Sequence, residues 1–159
     1  MLVVGDSLAV GLEPYLGPLV APRTVVWDTV AGGTTPEGLV RLRAALRSVT
    51  PSAVLISLGT NDGPSPARFR DRIHRALRAV PAAACVVWAD IHRAARKGPF
   101  RRLNGVLVQA ARRDPRLIVV RWSRAVVRGQ VVLPDGIHPD SAGFEYRSRL
   151  FAQAIERHC

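Results

Sequence analysis

Ser7 stands at the end of a short apolar run, Met1-Leu2-Val3-Val4, and directly after Gly5-Asp6, where the chain must turn sharply. A serine hydroxyl at such a point does covalent chemistry only if a base takes its proton, a further group orients that base, and donors receive the oxyanion. Histidine is the base suited to neutral pH, because its ordinary pKa lets it both accept and return a proton. Of the four histidines, His74 lies mid-helix among arginines and reads as a solvated residue, and His158 is at the terminus. His92 follows an apolar run and is placed to line a pocket. His138 sits in a loop between Gly136 and Pro139, with Asp135 three residues upstream. That spacing lets a tight turn set a carboxylate against one imidazole nitrogen while the other faces outward. Each piece also has a plain alternative: Ser7 is a good helix N-cap, and Asp135-Gly136 is a common turn.

The elements that would position these residues alternate along the chain. After Ser7, residues Leu8 to Leu16 suit a short helix closed by Gly17-Pro18, and Thr24 to Asp28 reads as a strand. A glycine-bearing loop, Val30-Ala-Gly-Gly-Thr-Thr-Pro36, enters a helix whose first turn suits Pro36 and whose stripe is Leu39, Leu42, Leu46 and Val49. Ala53 to Leu58 is continuously apolar, as expected of a central parallel strand covered on both faces. It ends in Gly59-Thr60-Asn61-Asp62-Gly63, and a helix marked by Phe69, Ile73, Ala76, Leu77 and Val80 follows. Ala84 to Ala89 and Leu117 to Arg121 are the remaining strands, separated by a helix with Leu103, Val106 and Leu107. The segment Arg124 to Leu133 suits a small hairpin turning at Arg128-Gly129, and Ser141 to about His158 a closing helix. Strands alternating with helices imply right-handed βαβ units and one parallel sheet. Every strand then ends at the same edge, which brings Ser7, Gly32, Asn61 and His92 together.

Four separate stretches, in order, resemble the SGNH hydrolases, also called GDSL esterases and lipases. They are Gly5-Asp6-Ser7-Leu8, Gly32 within Ala31-Gly32-Gly33-Thr34, Gly59-Thr60-Asn61-Asp62, and Asp135-Gly136-Ile137-His138-Pro139. The resemblance implies a three-layer α/β/α sandwich with a five-stranded parallel sheet of flavodoxin-like order 2-1-3-4-5, spanning residues 1–159 as one domain. It implies Ser7 as nucleophile, His138 as base and then acid, and Asp135 as the group that fixes the His138 tautomer. The N–H of Ser7, the N–H of Gly32 and the Asn61 side-chain amide would form the oxyanion hole, with Gly33 the alternative if the loop shifts by one residue. Asp6 and Asp62 brace their turns; Asp6, His92 and Ile137 are the candidate substrate contacts. The activity implied is hydrolysis of acyl or acetyl esters of lipids, alcohols or carbohydrates through an acyl-serine intermediate. An acyltransferase acting on a sugar or alcohol acceptor would use the same residues. A non-catalytic carbohydrate- or anionic-polymer-binding module would have no need of them.

Composition narrows the partners. The 159 residues carry 23 Lys+Arg against 12 Asp+Glu, a net charge of +11, and Lys97 is the one lysine. The arginines are dispersed, with no interleaved aromatic platform, so nucleic-acid binding is not expected. Arg93, Arg96, Lys97, Arg101 and Arg102 make one stretch unusually basic; it is either a solvated helix entry or a device that steers an anionic substrate. The His and Cys spacing offers no metal site, and no metal or other cofactor is expected. Cys85 reads as a core thiol and Cys159 as a frayed terminus. No apolar run approaches the ~20 residues of a membrane helix. With no signal peptide in the chain as given, a soluble cytoplasmic protein is expected by default, or a secreted one if an upstream signal has been removed.

Overall fold

The computed structural model describes residues 1–93 and 100–159. Strands β1 (Leu2–Gly5), β2 (Val26–Thr29), β3 (Ala53–Ser57), β4 (Cys85–Ala89) and β5 (Leu117–Val120) form one parallel sheet in the order β2-β1-β3-β4-β5. This is the expected order 2-1-3-4-5. Gly5, the last residue of β1, lies opposite Thr29 of β2 and Ser57 of β3, so three strands end flush at one edge.

Side-chain alternation divides the core into two layers. Leu2, Val4, Val54, Ile56, Val86 and Trp88 face one way, against α3 (Thr35–Ala45), α4 (Pro66–Ala79) and α5 (Phe100–Ala111). Val3, Leu55, Val87 and Ala89 face the other, against α2 (Glu13–Leu19), α6 (Trp122–Val127) and α7 (Ser141–His158), with the short α1 (Ser7–Val10) beside them. Burial on both faces is why β3 reads as an unbroken apolar run. Each fully buried Leu, Ile or Val contributes about 1.5–3 kcal/mol relative to exposure. Trp88 meets Phe69 edge to face at 6.0 Å and donates its indole N–H to the Leu58 carbonyl at 3.1 Å. The core thus anchors the end of β3, where the Asn61 loop begins.

Three expectations are corrected. Instead of one helix closed by Gly17-Pro18, α1 is four residues long and α2 runs through Gly17 and Pro18 to Leu19. In so short a helix the carbonyl four residues before Pro18 belongs to Pro14 in the first turn, so only one intrahelical bond is lost. Residues 124–133 do not form a hairpin. Trp122 and Ala125 bury one face of α6, and Gly129, at φ +69°, ends that helix. The Gly129 N–H donates to the Val126 carbonyl and the Gln130 N–H to that of Ala125, which is the Schellman pattern of a helix end. Finally, Cys85 and Cys159 are joined in a disulfide rather than being a core thiol and a free end. The long α7 runs back across the sheet and delivers the terminus to the start of β4. Among the described residues no helix is long and apolar enough to cross a membrane.

Candidate active site

The β1 ladder continues one residue past the strand, with the Asp6 N–H donating to the Ser57 carbonyl at 3.0 Å. Asp6, not Ser7, is the N-cap of α1: its Oδ1 accepts the Leu8 N–H at 3.0 Å. Ser7 is thereby relieved of capping. A side chain at Gly5 would strike Ala9 and the Ser57 carbonyl, so glycine is what lets α1 close onto the strand end.

The Ser7 Oγ lies 2.8 Å from Nε2 of His138. On the other side of that ring, Nδ1 is 2.7 Å from Oδ2 of Asp135. Asp135 Oδ1 accepts the backbone N–H groups of Ile137 at 2.9 Å and His138 at 2.7 Å. Gly136, at φ +79°, supplies the left-handed residue that folds this turn back on itself. Beyond it, Asp140 caps α7 by accepting the Gly143 N–H, which fixes the loop's exit. The His138 bond, with help from the two backbone N–H groups, holds the Asp135 carboxyl well below the usual carboxylate range. An ionised carboxylate only accepts hydrogen bonds, so Nδ1 carries the ring proton. Nε2 is then bare and accepts from the Ser7 hydroxyl. This arrangement can take a proton from Ser7 and hold the resulting imidazolium against a fixed negative charge.

The candidate oxyanion donors lie in the Ser7 turn and on the neighbouring loops. The Val30 N–H donates to the Gly5 carbonyl, so the loop after β2 leaves beside the Ser7 turn. Gly33 donates its N–H to the Val30 carbonyl at 3.0 Å, whereas the N–H groups of Gly32 and Ser7 have no acceptor among the described residues. This distinguishes the two glycines: Gly32, at φ +76°, is the one with a donor to offer. Asn61 Nδ2 donates to the Gly33 carbonyl at 3.1 Å, which leaves its second N–H available. Asp62 ties the two loops together, accepting the Thr35 N–H at 2.8 Å and pairing with Arg72 at 2.7 Å.

The candidate substrate contacts fare differently. Asp6 is wholly buried beneath the turn and braces it, so it presents no surface to a substrate. His92 is half-buried, its ring tilted against Phe100 at 5.0 Å, and burial lowers its pKa. Ile137 is nearly buried, held through its N–H by Asp135. Arg93 is 1% exposed rather than a solvated steering charge. Arg96 and Lys97 lie outside the described residues; Arg101 and Arg102 are exposed on the first turn of α5.

Sequence reasoning missed Arg147. It is 1% exposed, donates from Nη2 to Ser57 Oγ at 3.0 Å, and lies over the rings of Trp122 (4.5 Å) and Phe151 (5.3 Å). The signal was present: Phe144, Phe151 and Ile155 define the apolar stripe of α7, and position 147 falls on it. Burial pushes the Asp6 carboxyl up to about 6, against the opposing pull of Arg147. A raised carboxyl binds a proton more readily folded than unfolded. Its contribution to stability is therefore full below about pH 4 and lost as pH rises through about 6. At about 1.4 kcal/mol per unit, this one group accounts for at most ~3 kcal/mol between those limits. Asp6→Asn keeps an acceptor for Leu8 and should remove that slope; urea unfolding at pH 4.5 and 7 is expected to show the variant gaining on the wild type at the higher pH.

Comparisons with known proteins agree with this geometry. Residues 3–146 match the model of the GDSL-like Lipase/Acylhydrolase family. The chain is 32% identical to the esterase TesA of Pseudomonas aeruginosa, over 87% of this chain and 79% of that protein. It is 25% identical to an arylesterase of Vibrio mimicus, over 99% and 88% respectively. A crystal structure of TesA superposes with a TM-score of 0.83 at 26% identity, covering 99% of this chain and 98% of that one.

Proposed function

The chain belongs to the GDSL-like lipase/acylhydrolase family and is a serine ester hydrolase, and on that footing we propose that it cleaves carboxylic esters through an acyl intermediate on Ser7. The observation that carries this reading is the unbroken line from Ser7 Oγ through the His138 ring to Asp135, at 2.8 and 2.7 Å. The Ser7 hydroxyl proton passes to His138 Nε2 as Oγ bonds to the acyl carbon. Negative charge moves onto the former carbonyl oxygen, where the N–H groups of Ser7, Gly32 and the Asn61 amide receive it. The imidazolium, stabilised by Asp135, then protonates the departing alkoxide, leaving acyl-Ser7 and a free alcohol. Water enters, gives a proton to His138 and attacks the same carbon. Collapse of the second tetrahedral species returns the proton to Ser7 and releases the acid. Every step uses groups of this chain.

Aryl and simple acyl esters are the proposed substrates, in keeping with relatives described as an arylesterase and an esterase. Esters bearing negative charge are favoured by the net charge of +11. Partitioning between water and an added alcohol tests the common intermediate. For a series of esters with one acyl group and different leaving groups, the ratio of acid to new ester should be constant, and the acid should predominate in dilute alcohol. A ratio that varies with the leaving group would contradict an acyl-Ser7 intermediate; a predominance of transfer product would favour an acyltransferase.

A further inference from the structure

We propose that Arg93 is a positioning residue that aims the Asn61 amide, by gathering the backbone carbonyls on both sides of Asn61 onto one buried guanidinium. The proposal rests on the reading of Asn61 as an oxyanion donor. Arg93 follows β4, two strands away from β1 in the sheet, and reaches back beneath the loop that leaves β3. Its Nη1 donates to the carbonyls of Thr60 at 3.0 Å, of Asp62 at short range, and more weakly of Gly59 at 3.4 Å. The first two of these residues flank Asn61 in the chain, and Gly59 opens the turn at φ +116°.

Carbonyl dipoles that converge on one point repel one another unless a positive group lies between them. Lysine could supply the charge, but arginine supplies a planar group whose donors hold fixed directions and whose charge persists on burial. The rest of the loop is fastened by other residues: the Leu58 carbonyl by the Trp88 indole, the Asp62 N–H by the Gly59 carbonyl, and the Asp62 carboxylate by Thr35 and Arg72. Only Arg93 addresses the Thr60 carbonyl directly before Asn61 and the Asp62 carbonyl directly after it, among the described residues. The Thr60 carbonyl lies in the peptide plane that enters Asn61, and the Asp62 carbonyl lies one peptide beyond the plane that leaves it. The guanidinium therefore clamps the chain on either side of the Asn61 Cα, and with it the place where the free amide N–H meets developing charge. Displacing such a donor by about 1 Å can cost about 100-fold in rate.

A double-mutant cycle tests the proposal. Arg93→Met should lower kcat by about 10- to 100-fold while KM changes less than about twofold, since the donor acts on the transition state. In an Asn61→Ala background the same Arg93 substitution should have almost no further effect, because the group it aims is gone. Arg93→Lys should retain an intermediate kcat. Where Arg93→Met fails to fold, judged by circular dichroism, Arg93→Ala with added guanidinium replaces it: the cation should raise kcat in Arg93→Ala and not in Arg93→Ala/Asn61→Ala. Effects of Arg93→Met and Asn61→Ala that multiply would overturn the proposal while leaving the Asn61 reading intact. Asn61→Ala at the wild-type rate would remove that reading, and the role of Arg93 with it.

Discussion

Replacing Ser7 with alanine is expected to lower kcat/KM for a p-nitrophenyl ester by about 10⁴- to 10⁶-fold and to leave the fold intact. The substitution removes one oxygen atom, the one 2.8 Å from His138. It spares the helix cap, because Asp6 and not Ser7 accepts the Leu8 N–H at the start of α1. It also spares the Ser7 backbone N–H, so the proposed oxyanion donors survive and a residual rate above that in water is expected. Thermal unfolding and circular dichroism of the variant should therefore match the wild type. If Ser7 were only the first residue of a helix, activity would persist in the variant.

Asp135→Asn is expected to reduce kcat by about 10³- to 10⁴-fold at neutral pH, through the His138 ring rather than through the loop. The amide keeps an acceptor for the Ile137 and His138 N–H groups, so the turn should hold. What changes is the atom facing Nδ1. An amide N–H directed there would place the ring proton on Nε2, where it cannot accept from Ser7. The amide also carries no charge to stabilise the imidazolium. Since the Asp135 side chain is 56% exposed, water takes up part of that stabilising task, and the lower end of the range is expected. Single-turnover kinetics would separate this effect from substrate binding; a loss smaller than about tenfold would mean that the carboxylate does not fix the tautomer. In the wild type the carboxyl is held well below its usual range, so Asp135 itself should not titrate in the acid limb of the rate profile.

The sheet and its two helical layers were legible because burial on both faces leaves apolar runs, such as Ala53 to Leu58, separated by helical stripes. The pairing of Asp135 with His138 was legible because both lie in one short turn, whereas the contact of Ser7 with His138, 131 residues away, followed from the resemblance of the four stretches to one family. The rest depends on distant parts of the chain. Arg128-Gly129 reads alike as a hairpin turn and as a helix end, and burial of Trp122 and Ala125 decides between them. Gly32 and Gly33 are adjacent and chemically the same; only the bond from Gly33 to the Val30 carbonyl tells which N–H is spent. Cys85 and Cys159 meet because α7 has the length to bring the terminus back to β4, across 74 residues of sequence. Arg93 and Arg147 belong to a residue type that is almost always solvated, so their burial under the strand ends had no local cue at residue 93 and only a helical-stripe cue at 147.

Covalent trapping tests the acyl-serine account most directly. Incubation with a phosphonate ester or sulfonyl fluoride, followed by intact mass and peptide mapping, should show one adduct per chain, carried on Ser7, with activity lost in proportion. The Ser7→Ala variant should take up none, and His138→Ala should react far more slowly, since the hydroxyl then has no base. An adduct on a different serine, or complete inactivation with Ser7 unmodified, would contradict the account.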